Sequence, residues 1–315
     1  MKNITNQQIR ELLMFFTENY RKYGNIFGFG LENYGYIEEI KPAATCLFFS
    51  ADTVLCGLKY LLLKRMIEDC VEFPTVEYYR KVLGEISNDD IAKEGFHEIM
   101  SRTRNLLHKI NPDVGFFFYD RSLDMSLYVN GLDDVFYEEN RSLIRFLQED
   151  KVNSVVVYAP SDYLALRLLF NKYNVKIKII HLLEFISSHV DELEVRGNRA
   201  KFVLQESCII NRWLGKKSIY DVLHRIGGID IYTHPLSGDL TVCCGEYLWL
   251  TRPLLAIRNA TERLKGLIHM GSTSIIVACP SALFLFRLAT KFCDECPEDI
   301  QIYDISEVLL KLLEG

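Results

Sequence analysis

Apolar positions along the chain change period as it is read. From Asn6 to Lys22 they recur at helical spacing (Ile9, Leu12, Leu13, Phe16), which predicts an amphipathic helix. Residues 23–42 are rich in Gly and Tyr and read as a loop or arm. A short apolar run, Cys46 to Phe49, then leads into a helical segment ending near Met66. Further on, short β-branched runs alternate with helical patterns. Strands are expected at 154–158, 176–180, 201–205, 229–232, 240–243, 274–278 and 300–303, and helices at 138–148, 162–171, 246–268 and 282–292. Such alternation predicts an α/β protein whose sheets are mostly parallel and flanked by helices.

The pattern repeats at an offset of 120 residues: SVVVYAPS (Ser154–Ser161) aligns without gaps on SIIVACPS (Ser274–Ser281). The tails KIKIIHLLEFI and DIQIYDISEVL follow suit with a small gap. Two pseudo-symmetric lobes are the expectation, with a helix and arm over residues 1–40, a first lobe over 41–190 and a second over 191–315.

Composition narrows the classes. The 315 residues suffice for two domains of ordinary size. A net charge of −6 without a dense Lys/Arg run speaks against nucleic-acid binding. The N-terminal residues are too polar for a secretory signal. The longest apolar stretch, Ser274 to Phe286, is interrupted by Pro280 and falls short of the roughly 18–20 residues of a membrane span. A cytoplasmic protein without a transmembrane segment is expected.

Nine cysteines in such a chain shift weight from a disulfide framework towards metal or redox chemistry. Cys243 and Cys244 are adjacent and followed by Gly245; 34 residues separate Cys208 from Cys243, and 34 separate Cys244 from Cys279. Cys243-Cys244 and Cys279 are expected after strands and before helices, and Cys208 after a strand, so all four fall at the edge at which open α/β sheets bind ligands. A helix N-terminus there favours the thiolate. Four thiolates brought together can hold an iron–sulfur cluster or tetrahedral zinc; otherwise they are small buried apolar residues. At the 120-residue offset, Leu123 and Asp124 stand opposite Cys243 and Cys244, and Ala159 opposite Cys279. The first lobe keeps the scaffold without these thiols.

The constellation resembles the cysteine-rich CCG domain of the heterodisulfide reductase B subunit and of related iron–sulfur subunits. The residues that carry it are Glu206–Cys208, Val242–Gly245 and Cys279–Ala282, with Arg212 and Gly215 after the first cysteine. The architecture matches over roughly residues 45–315, the specific motifs over about the last 110. The resemblance implies two CCG-type lobes and an iron–sulfur cluster ([4Fe–4S], including its non-cubane form) on Cys208, Cys243, Cys244 and Cys279. It implies a ferredoxin-like iron–sulfur or flavoprotein partner and a disulfide or sulfur-carrier substrate. The chain departs from the family in having Ala282 where a final cysteine stands, Glu206-Ser207 before the first cysteine, Glu246-Tyr247 after the CCG, and no ligands in the first copy. These departures put a paired-cluster disulfide cleavage in doubt. They favour the alternative of a non-catalytic paralogue, holding zinc or no metal, within a larger redox complex.

Other features read more plainly. Cys293 and Cys296 have C-x-x-C spacing, which suits a redox dithiol or half a zinc site. Cys46, Cys56 and Cys70 read as core residues, and His181 and His234 as hydrogen-bonded residues after strands. The charged face of the helix around 140–150 reads as solvated, and the aromatic arm Tyr23–Tyr36 as a partner contact. No nucleotide-binding, P-loop, serine-hydrolase or zincin motif occurs.

Overall fold

A computed structural model of the chain describes residues 5–30, 43–123, 125–193, 200–213 and 219–314. Asp124, Gly215 and residues 31–36 of the aromatic arm lie outside them.

Eight parallel strands form two four-stranded sheets. The first comprises β1 (Thr45–Ser50), β2 (Gly115–Tyr119), β3 (Ser154–Val157) and β4 (Lys178–His181) in the order β2-β1-β3-β4. The second comprises β5 (Ala200–Gln205), β6 (Ile229–Thr233), β7 (Ser274–Val277) and β8 (Gln301–Asp304) in the order β6-β5-β7-β8. Every pairing is parallel. The chain therefore builds one topology twice, with helices flanking both sheets, as the alternating pattern predicts. Register supports the same equivalence: Cys46 pairs with Val155, and Val203 with Ile275.

Strand order locates the ligand edge. Each sheet's first strand is central, its next neighbour lies to one side and the third strand to the other. The crossovers after the first and third strands part there, which opens a crevice at their carboxyl ends. In the first sheet that point lies after Ser50 and Val157; in the second it lies after Gln205 and Val277.

Two helices buried on nearly every side lie between the sheets. Asp52–Glu68 buries even Asp52 and Lys59, and Pro280–Ala289 buries its whole ALFLF run; they pack against each other. A helix apolar all round belongs inside, which explains the long apolar stretch after Ser274. Glu98–Ile110 packs likewise against Ile305–Glu314 of the second lobe. Among the described residues no helix is long and apolar enough to cross a membrane.

Several expected elements differ. β2, the run GFFFY, is a fully buried strand absent from the sequence reading. The helix expected over 138–148 is two, Asp133–Glu139 and Arg141–Glu149. Asn140 between them turns inward, donating to the Tyr20 hydroxyl (2.7 Å) and the Phe136 carbonyl (2.8 Å); Arg141, Arg145 and Glu149 remain exposed as expected. The helix expected from Glu246 starts as a short 3-10 turn and becomes α-helical at Pro253, because Pro disfavours helical geometry in the residue before it. Within the aromatic arm, Phe27 is buried and sits 5.8 Å from the Trp249 ring. Phe27 is therefore part of the core, whereas Tyr23 at the start of the arm is exposed.

Candidate functional site

Cys208 lies three residues after the end of β5 and is half-buried. Cys279 caps the helix Pro280–Ala289, whose first backbone N–H groups, on Ser281 and Ala282, point at its sulfur. Both positions agree with the sequence reading.

The segment before Cys243 is not the strand expected over 240–243. It is a 3-10 turn at Gly238–Leu240 followed by irregular backbone. Its pattern is inverted: Leu240 is 65% exposed and Val242 39%, while Thr241 is 0%. The alternation is real, but its polar face is inside. Thr241 Oγ1 donates to the Gly238 carbonyl (2.6 Å) and accepts from Asn211 Nδ2 (3.1 Å). Buried Glu206 accepts from the Gly238 N–H at 2.5 Å. Gln205 Nε2 reaches the Val242 carbonyl at 3.4 Å and is itself held by Arg263 Nε, which donates to its Oε1 at 2.6 Å. Arg263 also meets His234 Nδ1 (3.0 Å) and the Leu236 carbonyl (3.1 Å). Glu206, Gln205 and Arg263 thus fix the thiol loop from inside. Of these, sequence reasoning touched only Glu206, as a departure from a family motif.

Gly245 completes the turn at φ 105, in the left-handed region. A Cβ there would meet the Ala256 carbonyl at 3.1 Å, so glycine lets the loop lie against helix Pro253–Ile268. The Gly245 N–H then points at Cys243 Sγ, 3.4 Å away.

These elements bring the four predicted thiols together. Cys243 is the hub: the thiols of Cys208 and Cys244 both donate to its sulfur, and with the Gly245 and Glu246 N–H groups they hold Cys243 far below the ordinary thiol range against the cost of burial. The same contacts, with burial, push Cys208 and Cys244 up. Burial pushes Cys279 up to about 12, and Glu246 adds to it. Glu246 accepts a hydrogen bond from the Ser281 hydroxyl. Hydrogen-bonded in this way, the three thiols titrate as one unit.

Four soft sulfur donors converging from three crossovers fit, in kind, an iron–sulfur cluster or zinc. Cys208, Cys243 and Cys244 are hydrogen-bonded to one another, while Cys279 is held by Ser281 and Ala282. Among the described residues no group of three or more His, Cys, Asp or Glu is arranged to hold a metal ion.

The remaining cysteines stand apart. Cys293 and Cys296 form a disulfide at the far end of the helix that Cys279 caps, the oxidised form of the dithiol that the C-x-x-C spacing suits. The turn brings their Cα atoms to 5.3 Å, well within bridging range. Cys46 and Cys56 are buried as expected, but Cys70 is exposed. His181 ends β4 and its ring accepts from the Leu183 N–H at 3.3 Å.

No protein-family model matches the chain, and no curated protein matches it. Among solved structures it is similar to a hypothetical protein from Helicobacter pylori, at 16% identity and a TM-score of 0.44 over 98% of this chain and 57% of that one. It is also similar to glutamate racemase isoform RacE1 from Bacillus anthracis, at 12% identity and a TM-score of 0.31 over 69% of this chain and 76% of that one. The chain thus spans a little over half the length of the Helicobacter protein.

Proposed function

We propose that the protein is an iron–sulfur redox subunit in which Cys208, Cys243, Cys244 and Cys279 hold one cluster. The observation that carries this reading is the convergence of four thiols, drawn from three separate crossovers, at the ligand edge of the second sheet, with the contacts around Cys243 holding its thiol below the ordinary range. Such a cluster supplies one-electron transfer. The chain's own part is to present the sulfurs. Gly245 and the N-terminus of helix Pro280–Ala289 direct N–H groups at them, which favours thiolates and tunes a bound centre. The partners that suit this role are a ferredoxin-like or flavin-containing subunit and a disulfide or sulfur-carrier substrate, in the cytoplasm.

A second reading has its own observation. Ala282 stands in the final ligand position, and the thiols close on one another rather than outward. This favours a non-catalytic paralogue that binds zinc, or no metal, within a redox complex.

Iron and acid-labile sulfide analysis of anaerobically purified protein separates the two. Stoichiometric iron and sulfide with visible absorbance are expected, bleached in Cys244→Ser and retained in Cys293→Ser. A colourless protein with zinc or no metal would sink the electron-transfer reading.

A further inference from the structure

At the ligand edge of the first lobe the polar groups satisfy one another. Ser50 Oγ lies 2.8 Å from Asp162 Oδ1 and 3.2 Å from Asp52 Oδ2, and both carboxyls are buried. The open hollow of this lobe is on its flank, along the helix Arg141–Glu149.

Arg141, Ile144, Arg145 and Gln148 stand at i, i+3, i+4 and i+7, on one face of that helix. With Ser142 and Tyr173 they line an open depression of about 610 Å³. Tyr173 follows helix Pro160–Lys172 and is anchored, since its hydroxyl donates to the Tyr137 carbonyl at 2.8 Å. The Arg141 guanidinium lies 5.8 Å from the centre of the Tyr173 ring, a cation–π contact that orients its fork. Lys172 lies over the neighbouring Tyr137 ring at 4.9 Å and adds a third positive charge to this side of the lobe.

The sequence reads this charged face as solvated. The placement of its charges sets it apart from an ordinary solvated face. Among the described residues neither Arg141 nor Arg145 forms an ion pair. Like charges four residues apart on a helix destabilise it, and here both guanidiniums border one hollow. An anion held between them removes that repulsion and gains charge-assisted hydrogen bonds from both.

The hollow also selects the anion. A guanidinium fork matches the oxygens of a phosphate or a carboxylate, and two forks suit the doubly charged group. The volume exceeds what a bare oxyanion fills and lies within the roughly 300–1,000 Å³ of small-molecule sites. Ile144 and the Tyr173 ring supply an apolar wall for the rest of such a molecule.

We propose that this depression binds a phosphate monoester, with its phosphate between Arg141 and Arg145 and its organic body against Tyr173 and Ile144. Gln148 is placed to hydrogen-bond polar groups on that body. The site lies wholly within the first lobe, uses no metal and stands independently of the thiol centre.

Isothermal titration of the full chain with phenyl phosphate tests the site, at low salt where exposed charges are least screened. Saturable one-to-one binding is expected, tighter than that of inorganic phosphate, which lacks the ring, and of benzoate, which lacks the second charge. Arg145 has no hydrogen-bond or ion-pair partner among the described residues, so Arg145→Gln should leave the urea midpoint unchanged while weakening phenyl phosphate about tenfold or more. Arg145→Lys, which keeps the charge and loses the fork, should fall between the two. Arg258→Gln removes an exposed arginine from helix Pro253–Ile268 of the second lobe and should leave binding intact. Absence of saturable binding overturns the proposal. So does binding unmoved by Arg145→Gln, or weakened as much by Arg258→Gln, which would make it a response to overall charge. Inorganic phosphate or benzoate binding as tightly as phenyl phosphate overturns the ligand class.

Discussion

Cys243 owes its character to what donates to it, not to its own position in a helix or strand. Two thiols and two backbone N–H groups aim at one sulfur. Iodoacetamide is therefore expected to label Cys243 first of the seven free cysteines among the described residues, at a pH well below the ordinary thiol range of about 8.5. Mass spectrometry of partly labelled protein checks this order. Two glycines are as exacting. Gly245→Ala forces a side chain into left-handed backbone, at about 1–2 kcal/mol, and against the Ala256 carbonyl. Gly57→Ala brings a Cβ to 2.8 Å from the Ile91 carbonyl, so helix Asp52–Glu68 must lift from helix Asn88–Lys93. Both variants should unfold at lower denaturant concentration than the wild type, and of the two only Gly245→Ala should also change the labelling rate of Cys243.

At the scale of elements, the thiol loop shows where sequence reading ends. LTVC alternates like a strand, and nothing in those four residues tells which side faces inward. The answer lies in Glu206, Gln205 and Arg263, up to 37 residues away in sequence from the atoms they hold. Tertiary hydrogen bonds made the polar side the buried one and replaced a sheet ladder. β2 escaped for the opposite reason: four consecutive aromatics carry no period, and a short fully buried strand looks like any apolar run. The repeat, by contrast, was legible because its residues face the core in both lobes, and so were the four thiols, whose spacing survives folding unchanged. The Asp52–Asp162 pair was invisible, since 109 residues separate two carboxylates with no motif around either. Cutting the internal tie tests the loop: Arg263→Met leaves Gln205 and the Leu236 carbonyl without their donor. It is expected to cost about 1–3 kcal/mol and to speed amide exchange across 238–245, a local opening that hydrogen-exchange mass spectrometry resolves.

For the whole molecule, the buried carboxyl makes stability depend on pH with a definite sign. The folded chain holds the Asp162 proton to about pH 7, whereas the unfolded chain releases it near the ordinary carboxyl value of 3.8. Between those limits the folded state binds more protons, so the Asp162 contribution is fully present at the acid end and is lost as pH rises. Cys243, whose shift is downward, works in the opposite sense. The difference between wild type and Asp162→Asn isolates the carboxyl. The wild type's advantage over the variant is expected to shrink as pH rises through about 7, measured by urea titration at successive pH values.

The back-to-back packing of Asp52–Glu68 on Pro280–Ala289 also sets a timetable for synthesis. The first helix emerges from the ribosome more than 200 residues before its partner, a wait of roughly ten to forty seconds at ordinary elongation rates. Throughout it, the nascent first lobe bears an apolar helix with one side uncovered. Stalled chains carrying that lobe alone are expected to be captured by chaperones that hold exposed apolar segments. Chains long enough to free Pro280–Ala289 from the exit tunnel should escape them. The contact that joins the lobes in the finished protein is thus a vulnerability during its making.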